Sequence, residues 1–274
     1  MIRFDALALA AAMAGASTGV ALAGDATPPE IKMPEVSVQA ANGWYVRGDV
    51  GYAVNASRGD MKVRSYDPAG GDDHSGSFDS NRFGGDFSGG LGIGYQFNDL
   101  FRADVTGDIF SGDFNGRLSS AMSCSGGAGG TGCSTNARSS FTAGSLMVNG
   151  YVDLGTVAGF TPYLGAGLGA TRVSWGSVNA IGSCVDGTSS CGGVVPVSTR
   201  YSGDSDWRLT YALMAGVAYE VSPNIKVDLG YRFSHIAGGD MFSSSAADAA
   251  AGATGRDGAL SRHEIRVGLR ITTW

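Results

Sequence analysis

The sequence predicts an all-β fold, an eight-stranded antiparallel up-and-down transmembrane β-barrel. Three observations carry this expectation. Eight segments of about ten residues alternate with period two. Ionised side chains fall on one of the two alternating faces only. The connections between segments are alternately long and short. Composition agrees. Glycine supplies 45 of 274 residues and charged residues only 16%, against a usual charged share of about 25%. A hydrophobic content of 43% is too high for a disordered chain. No apolar run reaches the roughly 18 residues of a spanning helix. A net charge of −6 argues against a broad nucleic-acid surface.

The chain opens with a one-Arg segment, Met1-Ile2-Arg3-Phe4, followed by an apolar run from Ala6 to Ala14. Ala21-Leu22-Ala23 fits the small-x-small cleavage rule, so residues 1–23 read as a signal peptide cut before Gly24. Residues 24–43 hold Pro28, Pro29 and Pro34 without periodicity and read as a flexible periplasmic lead-in. Residues 44–274 form the outer-membrane barrel domain.

The eight strands begin near Trp44, Asp86, Leu100, Ser145, Pro162, Arg208, Ile225 and His263. One face carries Val46, Val50, Tyr52 and Val54, then Leu91, Ile93, Tyr95 and Phe97, then Val105 and Ile109. It continues with Leu146, Val148, Val152, Leu164 and Leu168, then Leu209, Tyr211, Leu213, Val217 and Tyr219. Val227, Leu229, Tyr231 and Phe233 follow, and Ile265, Val267, Leu269 and Ile271 close it. None of these positions is charged. The opposite face carries the acids Asp49, Asp86, Asp104, Asp108, Asp153, Glu220, Asp228 and Glu264. Its bases are Arg47, Arg102, Arg208, Lys226, Arg232, Arg266 and Arg270.

A soluble ligand-binding barrel of lipocalin type would bury the apolar face, and a membrane barrel would expose it to lipid. The connections decide between them. Segments 55–85, 112–140, 174–206 and 237–261 are long, while 98–99, 155–160 and 222–224 are short. Tight periplasmic turns and large external loops are the pattern of outer-membrane barrels. Ten-residue strands suit a tilted crossing. Aromatics gather at both strand ends. Trp44, Tyr95, Phe97, Phe101, Phe160, Tyr163, Tyr219 and Trp274 lie at the short-turn end, and Phe87, Phe110, Phe141, Trp175, Trp207 and Phe233 at the other.

Eight strands enclose an interior that side chains can fill. Seven bases and eight acids facing inward must pair in low dielectric. They are expected to form an ion-pair network that plugs the lumen, with a diffusion pore for small solutes as the alternative. Inward glycines at 90, 92, 94, 165, 167 and 169 leave room for water or for larger neighbours.

Cys124, Cys133, Cys184 and Cys191 lie in Gly/Ser-rich segments. An even count behind a signal peptide favours disulfides, and short separations favour local pairs that pinch two external loops. A metal site is disfavoured, because no Cys-x2-Cys spacing or nearby His exists.

Trp44-Tyr45-Val46-Arg47-Gly48-Asp49-Val50-Gly51-Tyr52 resembles the first strand of the small alphaproteobacterial outer-membrane barrels of the porin or opacity-like type. Thr161-Pro162-Tyr163-Leu164-Gly165-Ala166-Gly167-Leu168-Gly169 resembles their fifth. Asp228-Leu229-Gly230-Tyr231-Arg232-Phe233 and Glu264-Ile265-Arg266-Val267-Gly268-Leu269 resemble the last two. The resemblance implies an eight-stranded barrel in a Gram-negative outer membrane, inserted by the barrel-assembly machinery with periplasmic chaperones. It implies contact with outer-membrane lipid and lipopolysaccharide, a monomer, a role in envelope integrity or surface exposure, and neither catalytic residues nor a cofactor. Trp274 departs from the pattern, since the lipid-facing residues of the last strand are odd-numbered.

Other motifs are weaker. Arg58-Gly59-Asp60 is a tripeptide in a stretch rich in those residues, and Arg47-Gly48-Asp49 faces the lumen. Asp72-Asp73-His74 lacks a matching ligand set. Ser234-His235-Ile236-Ala237 faintly resembles the lipid A deacylases, but Ala237 stands where those enzymes place the nucleophilic Ser. Residues 243–254 read as a mobile, low-complexity external loop.

Overall fold

A computed structural model describes residues 42–58, 62–66, 73–77, 80–83, 87–120, 133–184, 198–243 and 253–273. The expected signal peptide, most of the lead-in, Asp86, Cys124, Cys191 and Trp274 lie outside the described residues, as do Gly59, Asp60 and Asp72.

Fifteen strands are present among the described residues. They are β1 (Gly43–Arg58), β2 (Lys62–Tyr66), β3 (Asp73–Ser77), β4 (Ser80–Phe83), β5 (Phe87–Gln96), β6 (Phe101–Ser120), β7 (Cys133–Asp153) and β8 (Phe160–Trp175). The rest are β9 (Val178–Cys184), β10 (Ser198–Gly203), β11 (Ser205–Ser222), β12 (Ile225–Ile236), β13 (Gly239–Ser243), β14 (Ala253–Asp257) and β15 (Leu260–Thr272). Eight of them, β1, β5, β6, β7, β8, β11, β12 and β15, pair antiparallel in that order, and β15 closes on β1 from Tyr45↔Thr272 to Arg58↔Leu260. Closure leaves no sheet edge for lipid to desolvate.

The short turns lie at one end. Val157 and Phe160 bridge across Ala158 and Gly159, both with positive φ, which matches the two-residue turn that follows strand twist. Asn98 Oδ1 accepts the backbone N–H groups of Leu100 (2.9 Å) and Phe101 (2.7 Å), which fixes the β5–β6 turn. The short turns fall within two residues of the expected bounds, at 97–100, 154–159 and 223–224.

At the other end the segments expected as long loops differ from expectation: much of their length is strand. Register shows why. Arg58↔Leu260 in β1–β15 runs on as Lys62↔Arg256 in β2–β14, four residues further on each side. Ser205↔Ser174 continues as Tyr201↔Val178, and Ile236↔Leu260 as Gly239↔Asp257. Tyr52↔Phe87 resumes ten residues on as Lys62↔Ser77. Elsewhere a one-residue slip intervenes, as between Phe141↔Trp175 and Arg138↔Asn179, the signature of a bulge. The outer strands thus prolong the same barrel beyond the bilayer. The run 243–254, expected as a loop, contributes Ala253 and Thr254 to β14.

Polarity inverts along these strands. From Phe101 to Ile109 the outward positions of β6 are apolar or small, and Val105 and Ile109 are exposed to lipid. Nine residues at about 3.3 Å rise and about 40° tilt span about 23 Å, near the height of an outer-membrane apolar band. Above Ile109 the outward positions become Ser111, Asp113, Asn115 and Arg117, all exposed, while Phe110 and Phe114 turn inward and are buried. Strand β7 does the same, with Arg138 and Ser140 outside and Ala137, Phe141 and Ala143 inside. The belt of exposed Val50, Leu91, Leu146, Leu168, Leu213, Leu229 and Val267 excludes a lipocalin-type inversion.

Val267→Arg should lower stability by about 2–4 kcal/mol if it lies near the bilayer midplane, read as the urea midpoint of the heat-modifiable gel band in lipid. Phe114→Ala, buried outside the bilayer, should cost about 3–5 kcal/mol in the same assay.

Candidate functional site: the sealed lumen

Inward positions of eight strands converge on one axis, so their charges must satisfy one another. Six buried or nearly buried guanidinium groups, on Arg47, Arg102, Arg232, Arg262, Arg266 and Arg270, share the transmembrane lumen with six carboxylates, on Asp49, Asp104, Asp108, Asp153, Asp228 and Glu264. Ion pairs of this kind are favourable only with good geometry and further hydrogen bonds.

Near the short-turn end, Arg102 Nε meets both Asp153 oxygens at 3.1 and 3.2 Å. Its guanidinium carbon lies 4.0 Å from the Tyr151 ring centroid and 4.8 Å from that of Tyr163, so cation–π contact supplements the pair. Arg270 Nη2 bonds Asp228 at 3.1 Å. Arg47 grips Asp49 with Nε (2.9 Å) and Nη2 (2.7 Å), a two-point clamp, and its Nη1 reaches Asp104 at 3.0 Å and Tyr151 Oη at 2.9 Å. Tyr45 Oη (3.1 Å) and Asn149 Nδ2 (2.7 Å) also donate to Asp104.

Asp108 forms the next layer, bridging Arg232 (3.0 Å) and Arg266. Above it Glu264 accepts from Ser88 Oγ (2.7 Å) and pairs with Arg262 (3.2 Å). Hydroxyls of Ser145, Thr171 and Thr210 form a chain with two 2.7 Å links. The Arg262 guanidinium then lies 3.6 Å from the centroid of Phe110, where the ionic interior meets the apolar one.

That apolar part comprises Phe110, Phe114, Phe141, Val173, Trp175 and Val178 on one side and Ile236, Met241, Phe242 and Leu260 on the other. Phe114 meets Trp175 edge-on at 6.1 Å, and Phe141 meets Trp175 at 5.1 Å. Tyr201 stacks on Phe242 at 5.0 Å, and its burial pushes the phenol above its ordinary pKa, so it stays neutral near pH 7. Beside this core Asp257 accepts Arg208 Nη1 at 2.7 Å and the Gly239 N–H at 2.9 Å.

The inward glycines serve the large side chains. A Cβ at Gly94 would lie 2.3 Å from the Tyr45 ring, one at Gly167 2.1 Å from Asn149, and one at Gly90 2.3 Å from Asp108. A Cβ at Gly216 or Gly230 would lie 2.6 Å from Tyr163 Oη. Of the two sequence-based options, larger neighbours occupy the room. Among the described residues the lumen holds one cavity of about 20 Å³ beside Arg47, Asp49, Asn149, Tyr151 and Arg266 and another of about 10 Å³ beside Ser88, Asp108 and Glu264, each enough for about one water.

Most of the predicted charges converge here, with four exceptions. Glu220 and Lys226 face each other across β11–β12 at the short-turn rim, Glu220 exposed and Lys226 half-buried, away from the layered pairs. Arg208 belongs to the outer cluster with Asp206 and Asp257. Asp86 lies outside the described residues. Sequence reasoning missed Arg262 and Asp257. Arg262 shares the parity of Glu264 and Arg266, so starting the strand two residues earlier finds it. Ser234 and His235 point to opposite faces; His235 instead stacks on Tyr211 at 5.0 Å and contacts Ser261 Oγ at 3.0 Å. Among the described residues no group of three or more potential metal ligands occurs.

A closed antiparallel barrel with a lipid-compatible exterior and an ion-paired interior defines an integral outer-membrane barrel protein of a Gram-negative envelope. The chain belongs to the outer membrane protein beta-barrel domain family, whose model matches residues 6–270. It is 33% identical over 272 residues to an uncharacterized protein of Brucella abortus (strain 2308), covering 93% of each chain. It is 31% identical over 197 residues to a Rickettsia bellii (strain OSU 85-389) protein named as a candidate adhesin, covering 69% of this chain and 70% of the other. Among solved structures, it is similar to Neisserial surface protein A, with 19% identity, a TM-score of 0.42, and coverage of 84% and 97%.

Asp108→Asn removes the carboxylate shared by two buried guanidinium groups. It should destabilise the barrel by about 3–5 kcal/mol, read as a lower urea midpoint in detergent. A change within about 0.5 kcal/mol, the scale of a neutral surface substitution, would mean the layer contributes nothing.

Proposed function

We propose that this protein is a non-conducting structural barrel of the outer membrane that supports envelope integrity and holds a rigid β-platform at the cell surface. One observation carries the reading: the lumen is filled twice, first by layered ion pairs and then by an aromatic core. Small solutes need a continuous aqueous path, and cavities for about one water each do not supply it. On this reading the protein needs no chemistry of its own, and His235 serves in contacts with Tyr211 and Ser261 Oγ. Its partners are outer-membrane lipid and lipopolysaccharide, with the barrel-assembly machinery and periplasmic chaperones during insertion, and it works as a monomer.

A second reading, adhesion, is favoured by a specific feature. The outward face of the platform exposes Arg117, Arg138 and Arg200 beside Asn115 and Asn179, in adjoining rows of the β6–β7–β9–β10 ladder. The Rickettsia relative bears an adhesin's name. A platform that supports the envelope can also make contacts from its outer face.

Planar-bilayer recording separates the structural reading from a pore. The purified protein should give no stable single-channel steps, and reproducible steps from the wild type would overturn it. Loss of the protein should raise cellular sensitivity to bile salts and bulky antibiotics. Unchanged sensitivity would remove the envelope role.

A further inference from the structure

The four cysteines have a partner question that spacing alone answers one way and the backbone another. Sequence separation favours Cys124 with Cys133 and Cys184 with Cys191. The β7–β9 ladder runs from Arg138↔Asn179 through Ala137↔Ala180 and Asn136↔Ile181 to Thr135↔Gly182, Ser134↔Ser183 and Cys133↔Cys184. The two cysteines are therefore directly opposed, at the end of six consecutive pairs without a slip. Directly opposed residues of an antiparallel ladder have Cα atoms about 4.5 or 5.5 Å apart and share a face of the sheet. Both spacings fall in the disulfide range of about 4.4–6.8 Å. On its other side Cys133 is paired with Ser120, the last residue of β6, so Cys124 lies four residues past the end of that ladder.

We infer that Cys133 and Cys184 form a cross-strand disulfide that ties the tip of the second external hairpin to the third. The loop closed by this bond has about fifty residues, against about ten for either local pair, so it restrains the unfolded chain more. The chemistry is dithiol–disulfide exchange with an oxidised protein disulfide of the periplasm. The thiolate of one cysteine attacks that disulfide and forms a mixed disulfide. The second thiolate displaces the oxidant's sulfur, and the oxidant departs as a dithiol carrying the two electrons and the two protons that the cysteines lose. The bond fastens β7 to β9 above the aromatic core, at the last recorded pair of their ladder.

Trypsin supplies the test, because it cuts after Arg117, Arg138, Arg172 and Arg200 and leaves each sequence-local pair within one peptide. Digestion of the unreduced, denatured wild type should release peptides 118–138 and 173–200 as one linked species. Fragmentation of that species should place a bond at Cys133 and Cys184. In the double variant Cys124→Ser/Cys191→Ser the same link should persist, and no thiol should react with maleimide until reductant is added. Two separate peptides, each bridged internally, would overturn the assignment, as would a wild-type link that fragmentation places elsewhere or two free thiols in the variant. The wild-type fragmentation decides the matter even where the variant fails to insert.

Discussion

Each strand of this barrel meets two solvents, and no face can suit both. Hydrocarbon demands apolar side chains outside, while the interior, cut off from lipid, takes the charges. Past the bilayer, water covers the exterior, and the hydrophobic effect again favours apolar groups inside. The switch happens between adjacent residues on one face of a strand: Ile109 touches lipid and Ser111 touches water, and inside, Asp108 gives way to Phe110. In β6 and β7 the period of two runs through the switch, and only the chemistry assigned to each parity changes. The ionic layers, the aromatic core and the polar platform all follow from that constraint.

The interior shows how such a lumen is made affordable in free energy. Guanidinium groups dominate the basic side because they can clamp carboxylates at two points and lie on rings. Arg47 does the first with Asp49, and Arg102 does the second with Tyr151 and Tyr163. Neutral donors fill the gaps, as Asn149 and Tyr45 do on Asp104. Glycine is the other half of the arrangement. Opposite Tyr45, Asn149 and Tyr163 the strand has no side chain, so a large group from one strand lies flat over its neighbour. A barrel this narrow can hold large polar side chains because small residues alternate with them.

How much of this could be read from the residues varies with position. Transmembrane strands were legible because a charge on the wrong face is so costly that Val105, Val148 and Val267 leave a clean period-two record. Charge partners were legible as a set but not as pairs, since register across the barrel brings Asp108 to Arg232 and Arg266 from distant segments. The outer strands were hidden for the opposite reason. Where the polarity of both faces swaps, as at Phe114 and Asn115, the alternation still exists but contradicts the pattern below it and reads as loop. Glycine- and serine-rich composition in β6 and β7 adds to this, since β propensity there is weak and pairing with neighbours decides the structure.

Register carried across from the membrane barrel to parts of its outer extension has a mechanical meaning. The pairs Arg58↔Leu260 and Lys62↔Arg256 keep the same register across the step from one strand pair to the next, as do Ser174↔Ser205 and Val178↔Tyr201. A force applied at the tip would therefore run lengthwise along strands anchored in the bilayer. Such a load would shear many interstrand hydrogen bonds together instead of unzipping them singly, an arrangement that resists deformation from a foot held in the membrane.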